Sequence, residues 1–266
     1  MIDYHVHTCF SGDSSAQLDE VLEAAVQLRI EEICFTDHVD FDNPGQNFKP
    51  ADLILRHECL KAFGSLYDGV RIREGVEISM APTDECAEKS RAYLAGFQPD
   101  FIIGSQHITD GVDVYYPEYH QGKKKEDAYL AYLETIAASL PRFDFISVLG
   151  HYDFVAKFAP YPDRSLRSDM TPLIRHAFET VFKTVVSMGK GIEINTAAWR
   201  DDERWGLDIL KLYRELGGEF VTFGSDAHRS SAVGNRLNEA RELALEAGIP
   251  YYAVFERMRP TFIKLS

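Results

Sequence analysis

The chain has 266 residues, 45% of them hydrophobic, which is enough to bury a sizeable core in one large domain or two ordinary ones. Its formal net charge of -14 argues against extended nucleic acids and membrane surfaces as partners, because both carry dense negative charge. No apolar run approaches the roughly 20 residues that span a bilayer, and no signal peptide precedes the first apolar segment, so we expect a soluble protein.

Seven short runs rich in β-forming residues are predicted as strands. In chain order they span residues 2–7, 32–36, 70–78, 101–105, 145–149, 191–195 and 219–224. Between them, apolar residues recur every three or four positions, which predicts helices. The first helix carries the pattern Leu18, Val21, Leu22, Ala25 and Val26, and the later ones span 51–66, 84–96, 125–140, 171–188, 203–216 and 232–247. The final stretch, 251–266, is predicted as a short strand with a tail.

This alternation of strands and helices predicts a parallel sheet covered by helices, either closed as a barrel or open and doubly wound. No Pro/Gly-rich linker and no repeat of fixed period interrupts it, so residues 1–266 are predicted to form a single domain. Two long connections, 108–124 and 152–168, are rich in Tyr, Pro, His and Asp. Long loops on a rigid scaffold tend to carry substrate contacts, so we expect both near the functional site.

Every predicted strand ends in, or runs directly into, a residue that can bind a metal ion. In chain order these residues are His5 and His7, Asp13 in the following loop, Asp37 and His38, Glu77, His107, His151 with Asp153, Glu193, and Asp226 with His228. In a barrel of parallel strands, such carboxyl-terminal positions converge on one mouth. Imidazole and carboxylate together suit Zn, Mn, Fe or Co, so the pattern predicts a site for divalent transition metals.

Each piece of this pattern also has an ordinary structural explanation. Asp37 can cap a helix, Glu77 can be an exposed strand end, and His107 can be a hydrogen-bonded histidine at the edge of the core. The joint pattern favours the metal interpretation, because independent placement would scatter histidines over helices and loops. By contrast, His57 and His176 fall in the middle of predicted helices and are interpreted as structural or solvent-facing.

The segments that carry these residues closely resemble the polymerase and histidinol phosphatase (PHP) superfamily. They are 5–13, 36–38, 75–77, His107, 150–153 and 225–228, and the resemblance covers nearly the whole chain. Segments 105–107, 115–122 and 193–200, together with the chain length, resemble the PHP-type histidinol-phosphate phosphatases of histidine biosynthesis. The resemblance implies an α/β fold, a distorted seven-stranded (β/α)7 TIM-like barrel of the PHP type, holding three divalent transition-metal ions (Zn, Mn or Fe).

By that similarity the metal ligands fall into three groups. One ion would take His5, His7, Glu77 and Asp226, a second would share Glu77 and add His107 and His151, and a third would take Asp13, His38 and His228. Many superfamily members carry another histidine where Asp13 stands. A carboxylate at that position makes the third site harder and affects which metal it prefers.

The resemblance also implies a reaction, the hydrolysis of L-histidinol phosphate, a small phosphate monoester, to L-histidinol and phosphate. Such hydrolysis needs an attacking oxygen, charge neutralisation on the phosphoryl group and help for the leaving alkoxide. Clustered metal ions supply all three through an activated water, so no protein nucleophile is required. Asp226, His228 and water are the candidates for delivering the proton to the leaving oxygen, and the sequence leaves this choice open.

Arginine is expected to bind the phosphate, because its planar guanidinium matches phosphate oxygens. Arg200 and Arg164 are the best-placed candidates, although each also has neighbouring acids with which it can pair. Acidic and aromatic residues near the mouth would suit the ammonium and imidazole groups of the substrate, and the candidates are Asp40, Asp42, Tyr115, Tyr116 and Glu118. Solubility explains acidic loops equally well. His120 stays open between a structural role and a substrate contact.

Three other functions compete with this interpretation. The first is another PHP phosphoesterase, either a nucleotide phosphatase or a 3′-5′ exonuclease. Against a polymer substrate, the only basic run in the sequence, 123–125, is too short to form a polymer-binding face. An amidohydrolase that cleaves C–N bonds also uses H-x-H, but it usually brings a bridging lysine where Glu77 would bridge here. A metal-storage or regulatory module is disfavoured, because no ligand is missing.

The cysteine pattern bears on location. Cys9, Cys34, Cys59 and Cys86 are widely separated and form no C-x-x-C pair. We interpret them as reduced thiols and predict a cytoplasmic protein. The sequence leaves the oligomeric state open.

Overall fold

A computed structural model of the protein describes residues 1–42, 49–64, 66, 67, 69–199 and 206–266. Its strands are β1 (Ile2–Val6), β2 (Glu32–Phe35), β3 (His38–Val39), β4 (Arg71–Ser79), β5 (Phe101–Ser105), β6 (Ile108–Thr109), β7 (Val112–Asp113), β8 (Val148–Leu149), β9 (Gly191–Asn195), β10 (Phe220–Gly224), β11 (Tyr251–Glu256) and β12 (Arg259–Lys264). Its helices are α1 (Leu18–Gln27), α2 (Leu53–Gly64), α3 (Asp84–Leu94), α4 (Pro117–His120), α5 (Lys125–Ser139), α6 (Pro172–Ser187), α7 (Leu207–Glu215) and α8 (Leu237–Glu246).

The main sheet has ten strands in the order β1-β2-β4-β5-β8-β9-β10-β11-β12, with β3 beside β4. All of its neighbouring strands are parallel except β11 and β12. The segment after β10 meets β1: the His7 amide donates to the Ala227 oxygen at 2.9 Å, and the Asp226 amide donates to the His5 oxygen at 2.8 Å. The predicted α/β class with a mostly parallel sheet is therefore confirmed.

The burial pattern of the strands and helices agrees with their secondary structure. All residues of β1, β5, β9 and β10 are buried, as expected of parallel strands that are covered on both faces. Helix α1 buries one face, which includes Leu18, Val21 and Leu22. Thr171 caps α6, because its hydroxyl accepts a hydrogen bond from the Ile174 amide at 3.1 Å. No helix in the described parts of the chain has the length and apolar character needed to cross a membrane.

Two predicted elements are shorter in the structure by three or more described residues at one end. The strand predicted at 145–149 is reduced to β8, because the Ile146 amide closes a turn onto the Phe143 oxygen at 3.2 Å. The helix predicted at 232–247 begins only at Leu237, because Gly234 and Arg236 have φ angles of 72° and 52°. Residues in this left-handed region cannot continue a right-handed helix.

The C-terminal stretch differs most from its prediction. Instead of a short strand with a tail, it forms the antiparallel hairpin of β11 and β12. The two turn residues, Arg257 and Met258, have φ angles of 49° and 63°, as a tight two-residue hairpin turn requires. Asp100 secures this turn, since its carboxylate accepts from the Arg257 amide and its backbone oxygen accepts from the Met258 amide, both at 2.9 Å. The usual Gly or Asn signature of such a turn is missing from the sequence.

Candidate metal centre and its cavity

A cavity of about 670 Å³ opens at the carboxyl ends of the parallel strands. Seven of the residues predicted as ligands line it, namely Asp13, His38, Glu77, His107, His151, Asp226 and His228. His5 and His7, the other two, are fully buried against them. The structure thus brings all nine residues together, although they are spread over more than 220 positions of sequence.

Four side chains form the first donor group. The Nε2 atoms of His5 and His7 lie 3.0 Å apart. Glu77 Oε2 is 3.2 Å from the first of these nitrogens and 3.3 Å from the second. Asp226 Oδ1 is 3.6 Å and 3.4 Å from the same two atoms. Two imidazoles and two carboxylates therefore face one shared space.

Glu77 also belongs to a second donor group. While its Oε2 faces the first group, its Oε1 lies 2.7 Å from His151 Nε2 and 3.4 Å from His107 Nε2. The side chain is only 1% exposed, so both oxygens are directed into the cluster rather than to solvent. One buried carboxylate thus connects two donor groups, as a bridging ligand does in sites with two metals.

The third donor group lies nearer the mouth. Asp13 Oδ2 is 3.2 Å from His228 Nε2 and 3.4 Å from His38 Nε2. The ring of His7 lies 4.2 Å from the His228 ring and 4.3 Å from the His38 ring, centroid to centroid. With 40% of its side chain exposed, Asp13 is the most accessible of the nine. This group therefore borders the first group but is more open to solvent.

His5 and His228 each form a hydrogen bond through Nδ1, on the side of the ring away from the other donors, and this bond determines which ring nitrogen carries the proton. His5 Nδ1 donates to Glu193 Oε1 at 2.6 Å, and Glu193 Oε2 also accepts from the His151 amide at 3.0 Å. His228 Nδ1 donates to the backbone oxygen of Asp226 at 3.0 Å. A neutral ring that is protonated at Nδ1 keeps its Nε2 lone pair for the cavity. Glu193, which also follows the strand-end pattern, thus lies behind His5 rather than among the three groups.

A buried polar network lies behind His7. Its Nδ1 donates to Ser11 Oγ at 3.2 Å, and the Ser11 hydroxyl donates to Asp37 at 2.8 Å. The fully buried Arg56 donates to Asp37 at 3.0 Å and to the Gly75 oxygen at 2.6 Å. Burial alone would raise the pKa of Asp37, but Arg56, His7 and hydrogen bonds hold it below its ordinary value. The strand-end pattern included Asp37 but gave no indication of Ser11 or Arg56.

The donor set fits divalent cations. In their neutral forms, His5 and His7 direct Nε2 lone pairs toward each other across 3.0 Å, beside two carboxylates. Burial lowers the pKa of His5, but Glu193, Glu77 and Asp226 outweigh it and raise the pKa well above its usual value. Burial also raises the pKa of Glu77, yet the surrounding imidazoles hold it well below its usual range. The site thus attracts positive charge, and protons and metal ions compete for the same atoms.

The residues predicted to contact substrate do not all line the cavity that holds the donor groups. Asp40, Tyr115 and Tyr116 line the cavity. Asp42 accepts a hydrogen bond from the Ser79 hydroxyl, and burial raises its pKa to about 6. Only part of the predicted set therefore faces the same space as the donor groups.

The other predicted contacts lie elsewhere. Glu118 and His120 line a separate cavity of about 250 Å³. The guanidinium of Arg164 donates to the backbone oxygen of Lys157 at 2.7 Å, and it is Lys157 whose side chain lines the main cavity. Arg200 lies outside the described residues. Lys157 was not predicted, although it falls within the long connection at 152–168 that was expected near the site.

Comparison with known proteins assigns the family. The family model described as PHP domain matches residues 3–197. The chain belongs to the PHP domain family. The resemblance inferred from the strand-end motifs is thereby confirmed.

Individual PHP relatives match over almost their whole length. A histidinol-phosphatase from Lactococcus lactis is 30% identical over 261 residues, which is 97% of this chain and 95% of that protein. A protein from Clostridium acetobutylicum named "Probable histidinol-phosphatase" is 29% identical over 247 residues, 92% of each. The crystal structure of the Lactococcus lactis histidinol phosphate phosphatase, complexed with Zn, L-histidinol and phosphate, has a TM-score of 0.87 at 28% identity and covers 98% of both chains.

Proposed function

We propose that the protein is a metal-dependent phosphomonoesterase that hydrolyses L-histidinol phosphate to L-histidinol and phosphate. The observation that carries the proposal is the convergence of three groups of His and carboxylate side chains, two of which share the buried Glu77, in a chain that matches a histidinol-phosphatase over 97% of its length. The substrate is therefore a small molecule rather than a polymer. The net charge of -14 agrees with this, because the acidic surface outside the metal centre would repel the phosphate backbone of a nucleic acid.

The three donor groups are proposed to hold three divalent transition-metal ions, with Zn, Mn and Fe as candidates. One ion is assigned to His5, His7, Glu77 and Asp226, a second to Glu77, His107 and His151, and a third to Asp13, His38 and His228. When bound, such ions supply Lewis acidity that lowers the pKa of water and neutralises charge on phosphoryl oxygens.

The chain's own residues prepare the site for this chemistry. Glu193 holds the proton of His5 on Nδ1, which keeps Nε2 free to act as a ligand. The backbone oxygen of Asp226 does the same for His228. Asp226 and His228 lie on the cavity wall, and each stays a candidate, beside water, for delivering the proton to the leaving oxygen in place of its role as a ligand. Nothing in this scheme requires a protein nucleophile.

The remaining substrate contacts are proposals as well. Tyr115 lies 4.4 Å from Phe158, ring to ring, and together they offer an aromatic wall for the imidazole of the substrate. Asp40 and Tyr116 line the same cavity and would meet its polar groups. Arg200 is proposed to bind phosphate, as expected from its place after the sixth predicted strand. Asp42, Glu118 and Arg164 stay predictions of substrate contact.

We further propose that the sheet closes as a distorted seven-stranded (β/α)7 barrel and that residues 1–266 form one domain. Support comes from the hydrogen bonds between β1 and the segment after β10, and from the match to a solved PHP relative over 98% of the chain. The four free cysteines, two of them buried, support a cytoplasmic location.

The experiment is a panel of phosphate monoesters, including L-histidinol phosphate, p-nitrophenyl phosphate and nucleoside monophosphates, assayed with metal analysis of the same sample. L-histidinol phosphate is expected to give the highest kcat/KM. Chelation should abolish turnover and added Mn or Zn should restore it. Full turnover in a metal-free sample, or preference for a nucleotide, would contradict the proposal.

Glu77→Ala tests the bridging assignment, because it removes a ligand of two ions at once. We expect it to lose bound metal and activity together while its far-ultraviolet circular dichroism stays that of the wild type. Glu85→Ala, an exposed glutamate on α3, is the matched control and should keep both. Full metal occupancy in the Glu77 variant would refute the assignment.

A further inference from the structure

Lys157 reaches the metal-centre cavity from the connection that follows β8. It comes directly after a short 3-10 turn, Phe154–Ala156, which itself starts three residues beyond His151. Its side chain is only 14% exposed and lines the cavity that holds the donor groups. The backbone oxygen of Lys157 accepts a hydrogen bond from Arg164 at 2.7 Å, which holds this part of the loop in place. Lys157 is therefore a fixed cation beside the reacting space.

The position of the ammonium is compatible with a metal on Asp226. Lys157 Nζ lies 3.1 Å from Asp226 Oδ2, whereas Asp226 Oδ1 faces His5 and His7. The two oxygens of Asp226 thus have separate partners. An ion held by the first donor group would use Oδ1, so it would not compete with Lys157 for Oδ2.

The ammonium of Lys157 can donate further hydrogen bonds. A lysine ammonium has three N–H donors, and Asp226 Oδ2 is its only hydrogen-bond acceptor within the described parts of the chain. The rings of Phe154 and Phe158, 5.4 Å and 5.9 Å from Nζ, shield it on one side. A mostly buried cation with unused donors favours an additional anionic acceptor in the cavity.

Other cations on the cavity wall are more exposed. Lys49 and Arg229 also line it, but both are exposed to solvent, where contact with an anion is weakened by screening. Arg164, predicted from sequence for the phosphate, directs its guanidinium at the Lys157 backbone instead. Within the described residues, Lys157 is thus the least solvated cation that faces the donor groups.

We propose that Lys157 binds the phosphoryl group of the substrate, its ammonium donating a hydrogen bond to a peripheral phosphoryl oxygen. This assignment rests on the proposed function, because it takes the cavity to be the site of phosphate ester hydrolysis. Lys157 then shares the charge of the phosphoryl group with the ions held by the donor groups, and its link to Asp226 Oδ2 fixes where the ammonium stands.

The test compares Lys157→Met and Lys157→Arg with the wild type, all loaded with metal. Inorganic phosphate is titrated into each protein by calorimetry, and its inhibition constant against L-histidinol phosphate is measured separately. Loss of one charge-assisted hydrogen bond should weaken phosphate binding and raise KM by about tenfold in the Met variant. The Arg variant keeps the charge and should recover most of the affinity. Lys183→Met, an exposed lysine on α6, is the control for loss of a positive charge.

Metal analysis separates phosphate binding from a merely structural role. The proposal expects wild-type metal content in both Lys157 variants. Unchanged phosphate affinity in Lys157→Met would overturn it, and so would loss of metal from both variants, which would limit Lys157 to holding Asp226. If the wild type bound phosphate through Lys157 but did not hydrolyse L-histidinol phosphate, the proposed function would fail, and only phosphate binding by Lys157 would remain.

Discussion

Glu193→Gln tests whether the orientation of His5 supports metal binding. A carboxylate accepts hydrogen bonds on both oxygens, so Glu193 accepts from His5 Nδ1 at 2.6 Å and from the His151 amide at 3.0 Å together. Glutamine has one acceptor oxygen, so one of these two bonds is lost among groups that are all buried. Loss of such a carboxylate behind a ligating imidazole lowers metal affinity by about 10- to 100-fold, which corresponds to about 1.4 to 2.7 kcal/mol.

Competition with a chromogenic chelator measures the metal affinity of this variant, and thermal unfolding of the metal-free protein reports on the fold. Because Gln has nearly the same shape as Glu, we expect a large change in the first measurement and a small one in the second. Glu85→Gln makes the same chemical change on the exposed face of α3 and serves as the control. Wild-type metal affinity in the Glu193 variant would show that packing alone orients His5.

Two further substitutions test the packing behind the donor groups. An alanine Cβ at Gly224 would lie 2.1 Å from Glu193 Oε1, so Gly224→Ala should lower the free energy of unfolding in urea by about 1–3 kcal/mol and reduce metal retention. Gly96→Ala, where nothing lies within 4 Å of the added carbon, is its control, and equal behaviour of the two would contradict the steric argument. Arg56→Met should lower the free energy of unfolding by about 3–5 kcal/mol, because it leaves the buried carboxylate of Asp37 without its cation. An Arg56 variant with wild-type stability in urea would mean that neighbouring hydrogen bonds suffice for Asp37.

The meeting of the nine residues could be predicted from a rule of geometry, whereas their division into three groups was implied by the family resemblance. Parallel strands bring their carboxyl ends to one edge, so residues as distant as His7 and His228 are expected to meet once the strands are recognised. The structure places all nine predicted residues in that one region. The family model matches residues 3–197, a range that contains every segment of the superfamily resemblance except 225–228.

The same rule cannot say which strand-end residues face the cavity. Asp37 and Glu193 satisfy the pattern as well as Glu77 does, but they lie behind the imidazoles and receive hydrogen bonds instead. Arg56 lies within α2, far from any strand end, so no local pattern connects it with Asp37. Lys157 sits in a loop whose path depends on tertiary contacts. Side-chain direction and loop path are thus what the sequence left undetermined.

For the fold as well, the sequence predicted some elements correctly and missed others that depend on tertiary contacts. Periodicity predicted the strands and helices that bury one or both faces, such as β5 and α6. It failed at the hairpin of β11 and β12, because the turn at Arg257 and Met258 is held by Asp100 rather than by Gly or Asn. A turn that depends on a distant partner leaves no local signature.

The hydrogen bonds between β1 and the segment after β10 have a consequence for synthesis of the protein. The first donor group contains His5 and His7 from the start of the chain and Asp226 from near its end. A growing chain therefore cannot complete this group until Asp226 has left the ribosome, and contacts so distant in sequence form slowly. On the proposed assignment, the ion held by His5, His7, Glu77 and Asp226 would therefore gain its full set of ligands only when the sheet is complete.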